Sequence, residues 1–204
     1  MIGLSSLSVA LLAAVVTGTS AAILAWRERP DAGATWLSLL LAGQVWWTVF
    51  LVLELEAATL AAKALWYDVQ WVGVVMVPVA WLLFALEYTG RDRYVRPGVV
   101  AAVCVAPAVT LLVVAAGDPY GLVVVDREVS DTMVGSFLRV DPGPWYYVMA
   151  GYTYLLGIIG QLAFAWLAAV FLLSHPRGGV LMVIMVLLVV AADVGAYFTG
   201  KSLG

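Results

Sequence analysis

The 204-residue chain is 64% hydrophobic and 11% charged, with a mean hydropathy of +1.03. Soluble domains carry about 25% charged residues, so an ordinary soluble fold is excluded and an integral membrane protein is implied. The net charge of -3 and isoelectric point near 5.0 leave no basic surface to neutralise phosphates, which excludes nucleic acid as a partner. The single cysteine, Cys104, rules out an intrachain disulfide and a cysteine-based metal site; in its apolar run it reads as a packing residue.

Six apolar runs, near residues 4–26, 34–55, 65–88, 98–116, 145–173 and 179–198, approach or exceed the roughly 20 residues needed to cross a bilayer. They predict an all-α polytopic membrane protein, a bundle of about six transmembrane helices forming one domain over residues 1–204. The first run lacks a basic lead and is longer than a signal-peptide core, so it is expected to be a retained span. The third run extends to Arg91. At about 100° per residue, Trp66, Gln70, Gly73, Val77, Trp81, Phe84 and Tyr88 share one narrow stripe on an otherwise aliphatic helix. Such a stripe is expected to turn towards other helices and leave the aliphatic sides to lipid.

Pro78 and Pro107 lie inside spans. Each removes a helix hydrogen bond and predicts a kink, serving either as a hinge or as a packing shape, with neighbouring helices re-satisfying the freed carbonyl. The one long connection, 117–143, contains two β-prone runs, Leu122 to Val125 and Ser136 to Val140. Asp126, Arg127, Glu128 and Asp131 separate them, so a small hairpin or loop over the outer face is expected. Gly143-Pro144-Trp145-Tyr146-Tyr147 then restarts a helix with proline in its first turn and aromatics at the membrane surface. Gly151, Thr153, Gly157 and Gly160 give the fifth span a small-sided face suited to close helix approach.

Counting bases sets the orientation. Arg27, Arg29, Arg91, Arg93, Arg96 and Arg177 fall on one side, and Lys63, Arg127, Arg139 and Lys201 on the other. The positive-inside rule places segments 27–33, 89–97 and 174–178 in the cytoplasm and the N-terminus outside the cell membrane. His175 is then an ordinary cytoplasmic loop residue.

Ionisable groups within spans are costly and mark functional candidates. Glu87 is expected to pair with Arg91 one turn later at the cytoplasmic surface. Glu54, Asp68 and Asp193 reach similar depths in the outer half and could rim one outward-facing cavity; the alternative for Glu54 and Asp68 is that they snorkel to the interface. Trp46, Trp47, Trp71, Trp81, Tyr152, Tyr154 and Trp166 could wall an apolar pocket with Gln44, Gln70 and Gln161 as its polar points, although some are expected to be interfacial anchors. The candidate ligand-binding residues are therefore Trp46, Glu54, Asp68, Gln70, Trp81, Tyr152 and Asp193. Pro78 and Pro107 are the candidate hinges, and Tyr88, Gly90 and Arg91 a candidate signal-output loop. No metal site and no cofactor is expected.

Two local motifs compete for the C-terminal segment. Residues 195–202 satisfy the phosphate-loop pattern literally, but they follow an apolar span instead of a strand and carry bulky Tyr197 and Phe198. Residues 192–201 resemble the signature of membrane phosphatidate cytidylyltransferases, in which the residue matched by Asp193 would help hold divalent metal. The family's downstream serine and lysine-threonine elements do not follow. A retinal protein is disfavoured because Lys63 and Lys201 both fall at span ends.

A broader resemblance covers nearly the whole chain. Trp46, Leu53-Glu54-Leu55, Lys63, Trp66, Gln70, Gly73, Pro78, Trp81, Phe84 and Glu87-Tyr88-Thr89-Gly90-Arg91, followed by Gly143-Pro144-Trp145, Tyr152 and Tyr154, resemble the N-terminal seven-transmembrane region of sensor histidine kinases. Asp193 departs from that pattern, standing near the family's usual proline and tryptophan. The resemblance implies a membrane-embedded signal-input module without catalysis of its own. Its implied partners are membrane lipid, a cytoplasmic kinase or other effector reached through a seventh span beyond Gly204, a second copy in a homodimer, and an unknown small-molecule or ion stimulus. The alternative is a fragment of a cytidylyltransferase-like enzyme.

Overall fold

The computed structural model describes residues 6–132, 135–174 and 179–180. Five helices among the described residues are long and apolar enough to cross a membrane. They are α1 (Ser6–Arg27), α2 (Ala34–Glu56), α3 (Leu60–Tyr88), α4 (Pro97–Ala115) and α5 (Pro144–Ser174), joined between α4 and α5 by strands β1 (Val124–Thr132) and β2 (Gly135–Pro142). The expected all-α membrane bundle with a small hairpin is therefore observed, the first five spans each matching a helix. Beyond residues 179 and 180 the sixth lies outside the described residues, as do His175, Arg177, Asp193, Lys201 and the two C-terminal motifs.

Two compact units divide the chain, Met1–Gln161 and Leu162–Gly204. The second, where described, is the remainder of α5 together with residues 179 and 180, both helical. All contacts that follow belong to the first.

Helix ends are set by local chemistry. The α3 helix begins five residues before the expected 65 because the Thr59 hydroxyl caps it, accepting from Ala62 N at 3.2 Å. At its other end Gly90 adopts φ +73°, Gly90 N donates to Glu87 O at 3.1 Å and Arg91 N to Leu86 O at 2.8 Å. This paired closure is a Schellman cap, and its left-handed position is one that glycine fills without a Cβ penalty. Gly117 and Asp118 close α4 in the same way, donating to Val114 O at 2.9 Å and Val113 O at 3.0 Å. Pro97 and Pro144 occupy the first turns of α4 and α5, where no N–H is needed.

Packing follows the third-span stripe. Gly73 lies so close to α2 that a methyl group added there would come within 2.5 Å of the Gly43 carbonyl oxygen and 2.9 Å of Trp47 N. This is the small-residue approach by which helices associate in lipid. Above it Trp66 stacks near Phe50, with ring centroids 5.7 Å apart; below it Phe84 and Tyr88 abut Gly33 at the start of α2. Trp81 instead reaches α5, its indole donating to Gly157 O at 3.3 Å. Antiparallel α1 joins α2 through the buried Ser8, whose hydroxyl donates to Glu56 Oε1 at 2.5 Å. The α5 helix is tied to α4 by Trp145 Nε1, which donates to the fully buried Thr110 hydroxyl at 2.9 Å.

In the antiparallel hairpin Arg127 faces Val140, Glu128 faces Arg139 and Ser130 faces Phe137, with a register shift between Val124 and Asp126. One expectation is corrected here. The charged residues Asp126 to Asp131 do not separate two short strands but form most of β1, because Arg127 has a partner on α3 and Glu128 stands opposite Arg139 across the ladder. At the hairpin's base Gly143 N donates to Val123 O at 2.9 Å and Trp145 N to Leu122 O at 2.8 Å. Any side chain at Gly143 would collide with the Gly121 and Leu122 carbonyl oxygens, each 2.3 Å from its would-be Cβ.

Candidate functional site

The ends of α2 and α3 nearest the hairpin hold a buried polar cluster. Glu54, Lys63 and Gln70 are respectively 4%, 1% and 5% exposed, and buried groups of this kind are tolerated only when bonded. The Lys63 ammonium donates to Glu54 O at 2.8 Å and Leu55 O at 3.2 Å, placing a positive charge at the negative end of the α2 dipole. Its third proton goes to Ser136 O on β2 at 2.7 Å. The Glu54 carboxylate accepts from Leu138 N on β2 at 3.2 Å and from Gln70 Nε2 at 2.6 Å. Gln70 Oε1 in turn accepts from Trp47 Nε1 at 3.2 Å. A continuous chain of hydrogen bonds thus runs from the hairpin backbone through Glu54 and Gln70 to an indole on α2.

A second latch fastens the other strand. Arg127 on β1 donates through Nη2 to Asp68 Oδ1 at 2.6 Å and through Nη1 to Asp68 Oδ2 at 3.1 Å, a bidentate pair whose side chains are each 26% exposed. The guanidinium also lies 6.0 Å from the Tyr67 ring centre. Asp118 orders the approach to β1, its carboxylate accepting from Leu122 N, Val123 N and Val124 N at 2.7 to 2.8 Å. Glu54 and Asp68 therefore both engage the hairpin, one at β2 and one at β1.

The expected aromatic constellation is divided. Trp47 and Trp71 meet Tyr146, Met149, Thr153 and Tyr154 around a cleft of about 320 Å³ between α2, α3 and α5. Trp46 donates to Val69 O at 2.9 Å and lines a different groove, about 710 Å³, between α1 and α2 with Ile23, Trp26, Val45 and Phe50. Gln44 and Gln161 are exposed. Tyr152 donates its hydroxyl to Val103 O. That carbonyl is the one left without a helix donor by Pro107, four residues on, so the neighbouring helix re-satisfies the proline break. Both Pro78 and Pro107 are buried within their helices.

The Tyr88 to Arg91 segment is the capped end of α3. Thr89 donates to Ala85 O at 2.7 Å and accepts from Arg91 Nη1 at 2.8 Å. Beside it, Glu87 Oε2 is buried with no hydrogen-bond partner among the described residues. Lys63 was the residue least legible from the sequence. It stands seven residues before Gln70, on the same helical face, so extending the stripe back through the first turn of α3 would have brought it into the cluster.

Comparison with known proteins adds the family. Residues 10–203 match the family described as the N-terminal 7TM region of histidine kinase, and the match runs through the segment that resembles the cytidylyltransferase signature. No curated protein and no solved structure gives a match. The five apolar helices mark a multi-pass membrane protein and the match spans nearly the whole chain, so the chain belongs to the N-terminal 7TM region of histidine kinases, the sensor input of such proteins.

Proposed function

We propose that the chain receives its stimulus in its outer, hairpin-bearing half, at the outer or intramembrane face, and passes it along α3 to an attached cytoplasmic kinase. The observation that carries this reading is the double latching of the hairpin, by Lys63 and Glu54 on one strand and by Asp68 on the other. Glu54 and Lys63 are costly to bury, and both direct bonds to β2. A displacement of either strand is transmitted to α3, which bears Lys63, Asp68 and Gln70 at one end and the Thr89-Gly90-Arg91 cap at the other.

Orientation is supported by charge. Arg27, Arg29, Arg91, Arg93 and Arg96 lie at the end of the bundle away from the hairpin, whereas Lys63 and Arg127 at the hairpin end are engaged by specific partners. This reading puts the N-terminus outside.

The test uses the chain joined to its kinase in lipid nanodiscs, with autophosphorylation as the readout. Asp68→Asn and Arg127→Gln should each shift the basal kinase activity, and the charge-exchanged pair Asp68→Arg with Arg127→Asp should return it towards wild type. Unchanged activity in both single variants would defeat the proposal. In a Cys104→Ala background, a cysteine replacing Glu128 should react with a membrane-impermeant maleimide in intact cells; reaction only after permeabilisation would reverse the orientation.

A further inference from the structure

We propose that the cleft between α2, α3 and α5 binds a small, uncharged, flat aromatic molecule with one polar handle, taken up from the bilayer. This deepens the sensor reading, on which it rests, by naming the chemical class of the stimulus. At about 320 Å³ the cleft has the size of a compact ligand pocket. Its walls are four aromatic side chains, Trp47, Trp71, Tyr146 and Tyr154, with the thioether of Met149 beside them. Aromatic faces and a polarizable sulfur favour an aromatic guest by stacking and edge contacts. Trp71 and Tyr146 already meet edge to face, with centroids 6.0 Å apart and planes at 88°, the kind of ring contact that an aromatic guest would extend.

Polarity decides between guests. The cleft's polar points are the hydroxyls of Thr153 and the two tyrosines, which can each give or take one hydrogen bond. No carboxylate or ammonium lines it, and the nearby Glu54 and Asp68 are occupied by Gln70, Leu138 and Arg127. An ion would therefore shed its water without a counter-charge, whereas a neutral phenol-like molecule loses little. The cleft also adjoins the polar cluster, because Trp47 both lines it and donates its indole N–H to Gln70.

The experiment is competitive photolabelling of the full chain in nanodiscs with a phenol bearing a trifluoromethyl-diazirine, and 2-naphthol as competitor. Adducts are expected to concentrate on Trp71, Met149 and Thr153 and to fall as 2-naphthol is added, while adducts at lipid-facing Leu112 persist. Ala150→Phe, which fills the cleft, should weaken competition by at least about tenfold. Thr153→Val keeps the shape but removes a hydroxyl, and should weaken it less; an exposed position makes it a safeguard should the bulkier variant misfold. Adducts spread evenly without saturation, or undiminished competition in both variants, would overturn the proposal. Equal competition by phenyltrimethylammonium would overturn the uncharged class. Because the Asp68–Arg127 exchange does not touch the cleft, failure here leaves the hairpin reading standing, and failure there leaves binding at the cleft standing but removes its role as the stimulus.

Discussion

Lys63 shows how one side chain can hold three chain segments together. Its ammonium has three protons, and the carbonyls of Glu54, Leu55 and Ser136 take them all. Replacing it with methionine keeps the apolar stem but removes the ammonium from all three carbonyls, of which Glu54 O keeps its bond from Ala57 N. Lys63→Met should therefore cost about 3 kcal/mol, read as a lower unfolding midpoint in nanodiscs, and should free the hairpin to proteolysis. An unaltered midpoint would mean that water replaces the ammonium. Glu54→Gln should cost less, since an amide oxygen can still accept from Leu138 N. Sequence reasoning singled out Glu54, Asp68 and Gln70 because polar groups in apolar runs stand out. It placed Lys63 at a span end, because a charge reads as a boundary when its acceptors are backbone carbonyls that no residue letter announces. The Asp68–Arg127 pair was equally hidden, since its members lie 59 positions apart.

Among the elements, the third-span stripe was legible because helical geometry alone gathers its residues, and the structure turns most of it towards α2. The Tyr-Thr-Gly-Arg stretch is also explained by local geometry: its glycine fills the left-handed position of the cap. The hairpin was less legible. A run of alternating acids and bases looks like a turn until the ladder pairs Glu128 with Arg139 and α3 supplies a partner for Arg127. The α4 helix carries a testable device. Tyr152→Phe should cost about 1 kcal/mol by leaving Val103 O without its donor. In a Pro107→Ala background, where residue 107 regains an N–H for that same carbonyl, the loss should nearly vanish. A double-mutant cycle measures the difference, and strict additivity would show that the hydroxyl and the proline act independently.

At the scale of the whole molecule, polar connections lie at two ends, and the contact that matters most lies between them. Membrane architecture and family were legible because bilayer length and apolar composition constrain the chain strongly, and because a spaced set of residues carries the family. The meeting of α2 with α3 at Gly43 and Gly73 was visible only as glycines, since close approach of two backbones depends on which helices adjoin. Its consequence concerns mechanics. Gly73 stands near the middle of α3, with arms of roughly 20 Å to Leu60 and 22 Å to Tyr88 at 1.5 Å per residue. A rocking of α3 about this close contact would have nearly equal arms, which give no gain but reverse direction. Spin labels on Glu56 with Leu65, and on Thr35 with Tyr88, should report distance changes of opposite sign when Asp68→Asn releases the hairpin. Changes of the same sign would mean that the helices separate as parallel rods, and that the glycine contact is a spacer and not a seesaw.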